Sequence, residues 1–402
     1  MKVLFYCQHV LGIGHLVRSA EIARALSRDW DVTFVSGGAS VQGYPFPPGV
    51  KLVQLPALQT DEEFGALDSC GSAHTVEEIQ ELRRKQLLAL FDEIRPDTLV
   101  IELFPFGRKR FAFELIPLLD RARSRKEETL VACSLRDILV EKTDQAKHEE
   151  RVCRIINSYF DLILVHGDPA FQRLDETFHS VGDLHCEIQY TGHVQQDEPA
   201  PAVQKHRISD AGPTIVASIG SGRYRHGQVL LESVIQAAAL LKDTMPHRFR
   251  VFAGPLIPQE AYVTLEDLAR GMPNVEIEKY SPNFIEYLRR ADLSISMGGY
   301  NTIMNILATG VPSLVYPYTA NHDLEQHIRA RKLESLGVVD LLHPEMLPPE
   351  LLAPRIAGML TKKPVSLPLN LDGAANTARI LRLSVSTRLE RRSEVSLNEV
   401  SR

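Results

Sequence analysis

The chain has 402 residues, 44% hydrophobic and 24% charged, with a formal net charge of −6. That length exceeds what one hydrophobic core usually serves, so two domains are expected. The mildly acidic balance excludes nucleic acid as a partner, which would need a basic excess, and no apolar run approaches the roughly 18 residues that span a bilayer.

The first residues, Lys2–Cys7, form an apolar run with no small-residue cleavage site behind it, which reads as a first strand and not a leader. Leu16, Ala20, Ala23 and Leu26 then recur at helical spacing, and Asp31–Ser36 is a second strand. Short apolar runs at 98–101, 130–133 and 162–165 alternate with helical stretches, the pattern of a parallel sheet covered on both faces. The rhythm breaks at 195–213, a polar stretch carrying Pro199 and Pro201 that reads as an interdomain linker. It restarts with strands at 214–219, 250–253, Val275–Glu278, 293–296 and Ser313–Tyr316, and a helix at 228–241. The expectation is two doubly wound Rossmann-like α/β domains facing across a cleft. The first would cover 1–195, a linker 196–212, the second 213–365, and a C-terminal helix with a polar, frayed tail 366–402.

In such sheets ligands gather at the carboxyl ends of the strands. After the first strand, Gly12-Ile13-Gly14-His15 opens a helix, whose unpaired N–H groups suit an anion or hydroxyl. His15 there is a candidate base, with a helix-capping or exposed histidine as the plain alternative. The glycine spacing is not that of a dinucleotide fingerprint. Glu102, Arg136, Asp137 and His166 stand at the ends of three further strands and together outline an acceptor pocket with Gly14; Glu102 and Asp137 are the next candidates for a base. In the second half, Gly220-Ser221-Gly222 and Gly298-Gly299, with Thr302 beyond, are small-residue turns able to cradle a diphosphate. Asp323, Glu325 and Gln326 open the next helix with groups suited to sugar hydroxyls. Asp29-Trp30-Asp31 resembles a metal-binding D-x-D but sits at the wrong sheet edge, and no His, Cys and carboxylate cluster has metal-ligand spacing, so neither metal nor other cofactor is expected.

Five scattered cysteines, Cys7, Cys70, Cys133, Cys153 and Cys186, contain no C-x-x-C pair and fit a reducing, cytoplasmic compartment. The stretch 103–119 mixes Phe104, Phe106, Phe111 and Phe113 with Arg108, Lys109 and Arg110. It fits either a buried helix with a basic entry, the favoured reading, or peripheral contact with the inner face of a membrane that would deliver a lipid acceptor.

The segments MGGYNT, ILATGVP and DLEQHIRARKLESLG resemble the donor-binding half of glycosyltransferase family 28. GIGHLVRSAEIARAL, IELFPFGR, SLRDIL and VHGDPAF are similar to a bacterial group of GT-B glycosyltransferases related to it. The resemblance, which runs through most of residues 1–345, implies an inverting transfer of sugar from a nucleotide-diphosphate donor, UDP first among candidates, to a sugar, lipid or small-molecule hydroxyl acceptor. It places Gly220–Gly222 and Gly298-Gly299 at the diphosphate, Tyr280 and Ser281 beside uracil, Asp323 and Gln326 at the donor sugar, and His15 as base. Where the family carries a glutamate gripping the ribose hydroxyls, this chain has Asn305, which lacks the charge that strengthens such a bond. A nucleotide-sugar hydrolase of the same fold and a non-catalytic binding protein are the competing readings.

Overall fold

A computed structural model describes the chain apart from residues 11–12, 42–43, 61–66, 70–73, 126–127, 197–211, 222–224, 318, 320–323, 364, 366 and 401–402, and the side chains of 60, 225 and 391–400. Gly12, Cys70, Gly222, Asp323 and most of the expected linker therefore lie outside the described residues.

The first domain runs β1 (Lys2–Cys7), α1 (Gly14–Leu26), β2 (Asp31–Ser36), β3 (Val50–Gln54), a small pair β4 (Gln59–Thr60) and β5 (Leu67–Asp68), then α2 (Val76–Ile94). It continues with β6 (Thr98–Glu102), α3 (Ala112–Arg123), β7 (Leu130–Arg136), α4 (Gln145–Tyr159), β8 (Leu162–His166) and β9 (Glu187–Tyr190). Seven strands form one parallel sheet in the order β3-β2-β1-β6-β7-β8-β9. Its central strands are buried along their whole length, which is why they read as unbroken apolar runs.

The second domain contains β10 (Thr214–Ser218), α5 (Arg225–Leu241), β11 (Arg248–Phe252), α6 (Gln259–Leu268), β12 (Val275–Glu278), α7 (Phe284–Arg290) and β13 (Leu293–Met297). It is completed by α8 (Tyr300–Thr309), β14 (Ser313–Tyr316), α9 (Glu325–Ser335), β15 (Asp340–Leu341) and α10 (Pro349–Met359), around a six-stranded parallel sheet ordered β12-β11-β10-β13-β14-β15. Gly310, at φ 69°, ends α8 in the left-handed region where glycine carries no Cβ penalty.

Three differences from the sequence reading have physical causes. The strands β3 and β9 were not anticipated: they close the two edges of the first sheet, and edge strands lack the two-sided apolar signal. The expected C-terminal helix is α11 (Gly373–Val400), which runs on through the stretch expected to fray; its Ile380, Leu381 and Val385 are buried in one cluster with Leu16 and Ile22 of α1. The chain thus returns to the first domain, through a bridge between Val194 and Asp372. Finally, Phe104, Phe106 and Phe111 are core residues and Phe113 packs against them, so the membrane-contact reading of 103–119 loses its apolar face. No helix among the described residues is long and apolar enough to cross a membrane.

Candidate active site

In each sheet the strand order reverses beside the first strand, between β1 and β6 and between β10 and β13. Loops leaving adjacent strands there run to opposite faces and open a crevice, which is where such folds take ligands. The two crevices face each other across a cleft of about 1140 Å³. From the first domain α1 points its start into the cleft, and from the second α8 does the same. Neither helix has a side-chain cap on its N-terminus. The Asn301 side chain at the start of α8 donates to the Gly14 carbonyl at the start of α1 at 3.1 Å, so the two positive helix ends converge on one place.

His15 lines the cleft. Its Nδ1–H donates to Oε1 of Glu102 at 2.9 Å, which leaves the lone pair on Nε2. Glu102 is fully buried behind it and also accepts from Arg18 and from the Ser134 hydroxyl. With its proton committed to Glu102, Ser134 Oγ accepts from His166 Nε2 at 2.9 Å, and His166 Nδ1 lies 2.9 Å from the Thr191 hydroxyl. Burial alone would raise the Glu102 pKa, but Arg18 and His15 override it and hold the carboxyl well below its usual range. His15 is pushed the other way from what a base near 6.5 requires: burial first, then the Arg108 and Arg18 charges, lower it to about 3 against the pull of Glu102. Burial likewise lowers His166 to about 3.

Arg108 stands in the left-handed region at φ 58° and donates from Nε to the Gln8 carbonyl at 2.5 Å, placing its guanidinium in the cleft wall. Burial, with Arg136 as a like-charged neighbour, lowers it to about 10. Arg136 also lines the cleft and pairs with Glu325 of α9.

Of the donor-side residues, Gly220, Ser221, Tyr280, Ser281, Gly299, Thr302, Asn305, Glu325 and Gln326 all line the cleft. Gly220 is at φ 67°, and a Cβ on Gly299 would meet no atom within 4 Å. Gly298 does not line the cleft; a Cβ there would sit 3.3 Å from Val315 of β14 and 3.4 Å from Gln326 of α9, a snug but tolerable fit.

Three expected first-domain residues are not at the cleft surface: Glu102, behind His15, and Asp137 and His166. Asp137 is fully buried and takes both Arg329 contacts, at 2.7 and 3.2 Å; burial would raise its pKa, but Arg329 overrides it and keeps the carboxylate ionised. His166 is also fully buried, and reaches the site only through Ser134 and Glu102. The reading missed Arg18, Ser134, Arg329 and Tyr300. The Tyr300 ring lies between the guanidiniums of Arg18 and Arg329, 5.0 and 5.2 Å away, and its hydroxyl donates to the His166 carbonyl and accepts from the Val194 amide, each at 3.0 Å. Only helical spacing offered a hint, since Arg18 follows His15 by three and Arg329 follows Glu325 by four.

Two parallel-sheet domains meeting at a shared cleft, each turning a helix start toward it, define the GT-B fold. Residues 226–378 match the glycosyltransferase family 28 C-terminal domain. An uncharacterised glycosyltransferase of Methanosarcina acetivorans is 33% identical over 125 residues, 31% of this chain and 29% of its own length. The chain thus spans less than a third of that relative. The UDP-N-acetylglucosamine–N-acetylmuramyl-(pentapeptide) pyrophosphoryl-undecaprenol N-acetylglucosamine transferase of Hahella chejuensis is 29% identical over 49% of this chain and 52% of its own. Among solved structures, the calicheamicin glycosyltransferase CalG4 superposes with a TM-score of 0.57 at 15% identity over 98% of both chains, a likeness of fold.

Proposed function

We propose that the protein is an inverting glycosyltransferase that moves a sugar from a nucleoside-diphosphate donor, a UDP-sugar in the first instance, to a hydroxyl acceptor. The observation that carries this reading is the convergence of the uncapped α1 and α8 starts beside the His15–Glu102 pair. The diphosphate sits between the helix starts and the Gly220-Ser221 and Gly299 turns, with the nucleoside along Thr302, Asn305, Tyr280 and Ser281. The donor sugar lies toward Glu325 and Gln326, and the acceptor enters along Arg108, Arg136 and Gly14.

In the transfer, Nε2 of His15 takes the proton of the acceptor hydroxyl as its oxygen attacks the anomeric carbon, and the C–O bond to the diphosphate breaks on the opposite face. Glu102 holds the ring in the Nδ1–H tautomer and stabilises the imidazolium as it forms. Burial and the Arg108 and Arg18 charges keep His15 a weak base. A bound diphosphate brings negative charge next to it, opposing Arg108 and Arg18 and raising its pKa toward the working range. Charge on the departing diphosphate meets backbone N–H groups and two helix dipoles.

His15→Ala tests the assignment: UDP affinity, read by calorimetry, should be nearly unchanged while turnover falls about a hundredfold or more. Wild-type protein given UDP-sugars alone should release UDP slowly, and a cell extract containing the acceptor should accelerate it. Fast release of free sugar without acceptor, dependent on His15, makes the protein a hydrolase. Absence of turnover with every nucleotide-sugar and extract makes it a binding protein.

A further inference from the structure

Gly299, Thr302 and Asn305 follow one another at intervals of three along α8, and all three line the cleft. At 1.5 Å per residue Asn305 stands about 9 Å along the helix from Gly299. A nucleoside diphosphate bridges such a distance between its phosphates and its pentose. Asn305 is only 2% exposed. Its Nδ2 donates to Gln196 Oε1 at 3.1 Å, and its Oδ1 has no partner among the described residues. Beside it in the cleft lining, Ser218 is 4% exposed and its Oγ is likewise unpaired. A buried acceptor left open on a cleft is a site waiting for a donor from the ligand.

We propose that the Asn305–Gln196 amide pair reads a single pentose hydroxyl and ignores its neighbour, so that the donor site takes 2′-deoxynucleoside-diphosphate sugars as readily as ribonucleoside ones. The inference rests on the nucleotide-sugar reading above. A vicinal diol is gripped by two acceptor atoms held side by side, as a carboxylate presents them. Asn305 has two polar atoms, and Gln196 occupies one of them. Turning both amides over exchanges donor for acceptor and still leaves one atom for the ligand. The 3′-hydroxyl, common to both pentoses, satisfies that atom completely. The 2′-hydroxyl then finds no second partner on Asn305, so its loss in a deoxynucleotide leaves nothing unpaired there. Gln196, at the point where the chain leaves the first domain, is therefore a specificity residue that acts by occupying Asn305.

UDP and dUDP differ in that one hydroxyl, which makes them the probes. Calorimetric Kd values for the wild-type protein should agree within about threefold. In Asn305→Glu, where a carboxylate faces the diol, UDP should be favoured over dUDP by more than about tenfold. Gln196→Ala frees the second atom of Asn305 without placing a charge in the core, and should move the ratio in the same direction, to roughly fivefold. It carries the test if the buried glutamate prevents folding. A wild-type preference for UDP beyond about tenfold, or a Gln196→Ala ratio identical to wild type, overturns the proposal. Failure of folded wild-type protein to bind either nucleotide removes the nucleotide-sugar reading itself, a distinguishable result.

Discussion

Lowering the pH from 7 to 5 should weaken the first domain by about 4 kcal/mol, through two histidines alone. His15 and His166 are both held near pKa 3 in the folded protein, against about 6.5 in an unfolded chain. Each therefore stays neutral in the native state while the unfolded state takes up a proton. The stability is present above pH 6.5 and is lost as the pH falls below it, at about 1.4 kcal/mol per unit per group until the native pKa is reached. Over the interval from 7 to 5 that integrates to about 2 kcal/mol for each histidine. His9 and His193, which burial also lowers, act in the same direction. The site carboxylates Glu102, Asp137 and Glu325 are lowered, so their contributions are lost only further down, below the ordinary carboxylate range. Trp30, the one tryptophan in the chain, is buried in the first domain against the α1 side of the sheet and reports the unfolding of that domain in urea. A His15→Asn variant keeps a donor for Glu102 but cannot titrate, and should lose about half of the two-histidine slope. Stability constant to within about 1 kcal/mol between pH 7 and 5 would show that these imidazoles are not held neutral. The burial argument for the two lowered imidazole pKa values would then fail.

Gly299→Val should fold normally, since its Cβ meets nothing within 4 Å, yet bind UDP at least about tenfold more weakly, or about 1.4 kcal/mol; unchanged calorimetric affinity removes this turn from the site. Asp137→Ala leaves Arg329 with Glu325 as its remaining carboxylate partner and should cost about 3–5 kcal/mol in urea denaturation. Its turnover per folded molecule should hold; a selective loss of turnover would restore Asp137 as a base. Arg108→Gln removes a cation that depresses His15, so the His15 pKa, followed by its ring-proton NMR shift, should rise from about 3; no movement refutes that electrostatic coupling.

The sequence carried the architecture because buried parallel strands announce themselves: TLVIE and LILVH are apolar without interruption, and each ends on the polar residue, Glu102 or His166, that marks the carboxyl edge. Gly220, Ser221, Gly299 and Thr302, picked out because they come after strands, all reach the cleft lining. Partnership was not legible. Nothing local distinguishes Glu102, whose carboxylate serves the site, from Asp137, whose carboxylate is consumed by Arg329 from 192 residues away. Nor does anything distinguish His15, which lines the cleft, from His166, which faces Ser134 and Thr191. Those roles depend on side chains contributed by other strands and by the other domain. A C-terminal helix was expected, but not its length or its docking on α1, which rests on few apolar residues in a polar stretch.

The placement of Tyr300 links the chemistry to the domain geometry. It opens α8 in the second domain, yet its hydroxyl is fixed by the His166 carbonyl in the first domain and by the Val194 amide at the crossing between them. Its ring is clasped by Arg18, which holds Glu102, and by Arg329, which holds Asp137 and Glu325. The residue opening α8 therefore touches both the arginine that pairs with Glu102 and the arginine that pairs with Asp137 and Glu325. A rotation of one domain against the other would have to separate this stack, so it would disturb Glu102 and Glu325 together. The placement of Glu102 and of Glu325 is in this sense a single property of the interdomain contact. A buried aromatic and two buried guanidiniums, each expensive to desolvate, are held together here by mutual pairing at the crossing of the domains, as Arg83, Glu114 and Tyr6 are inside the first domain.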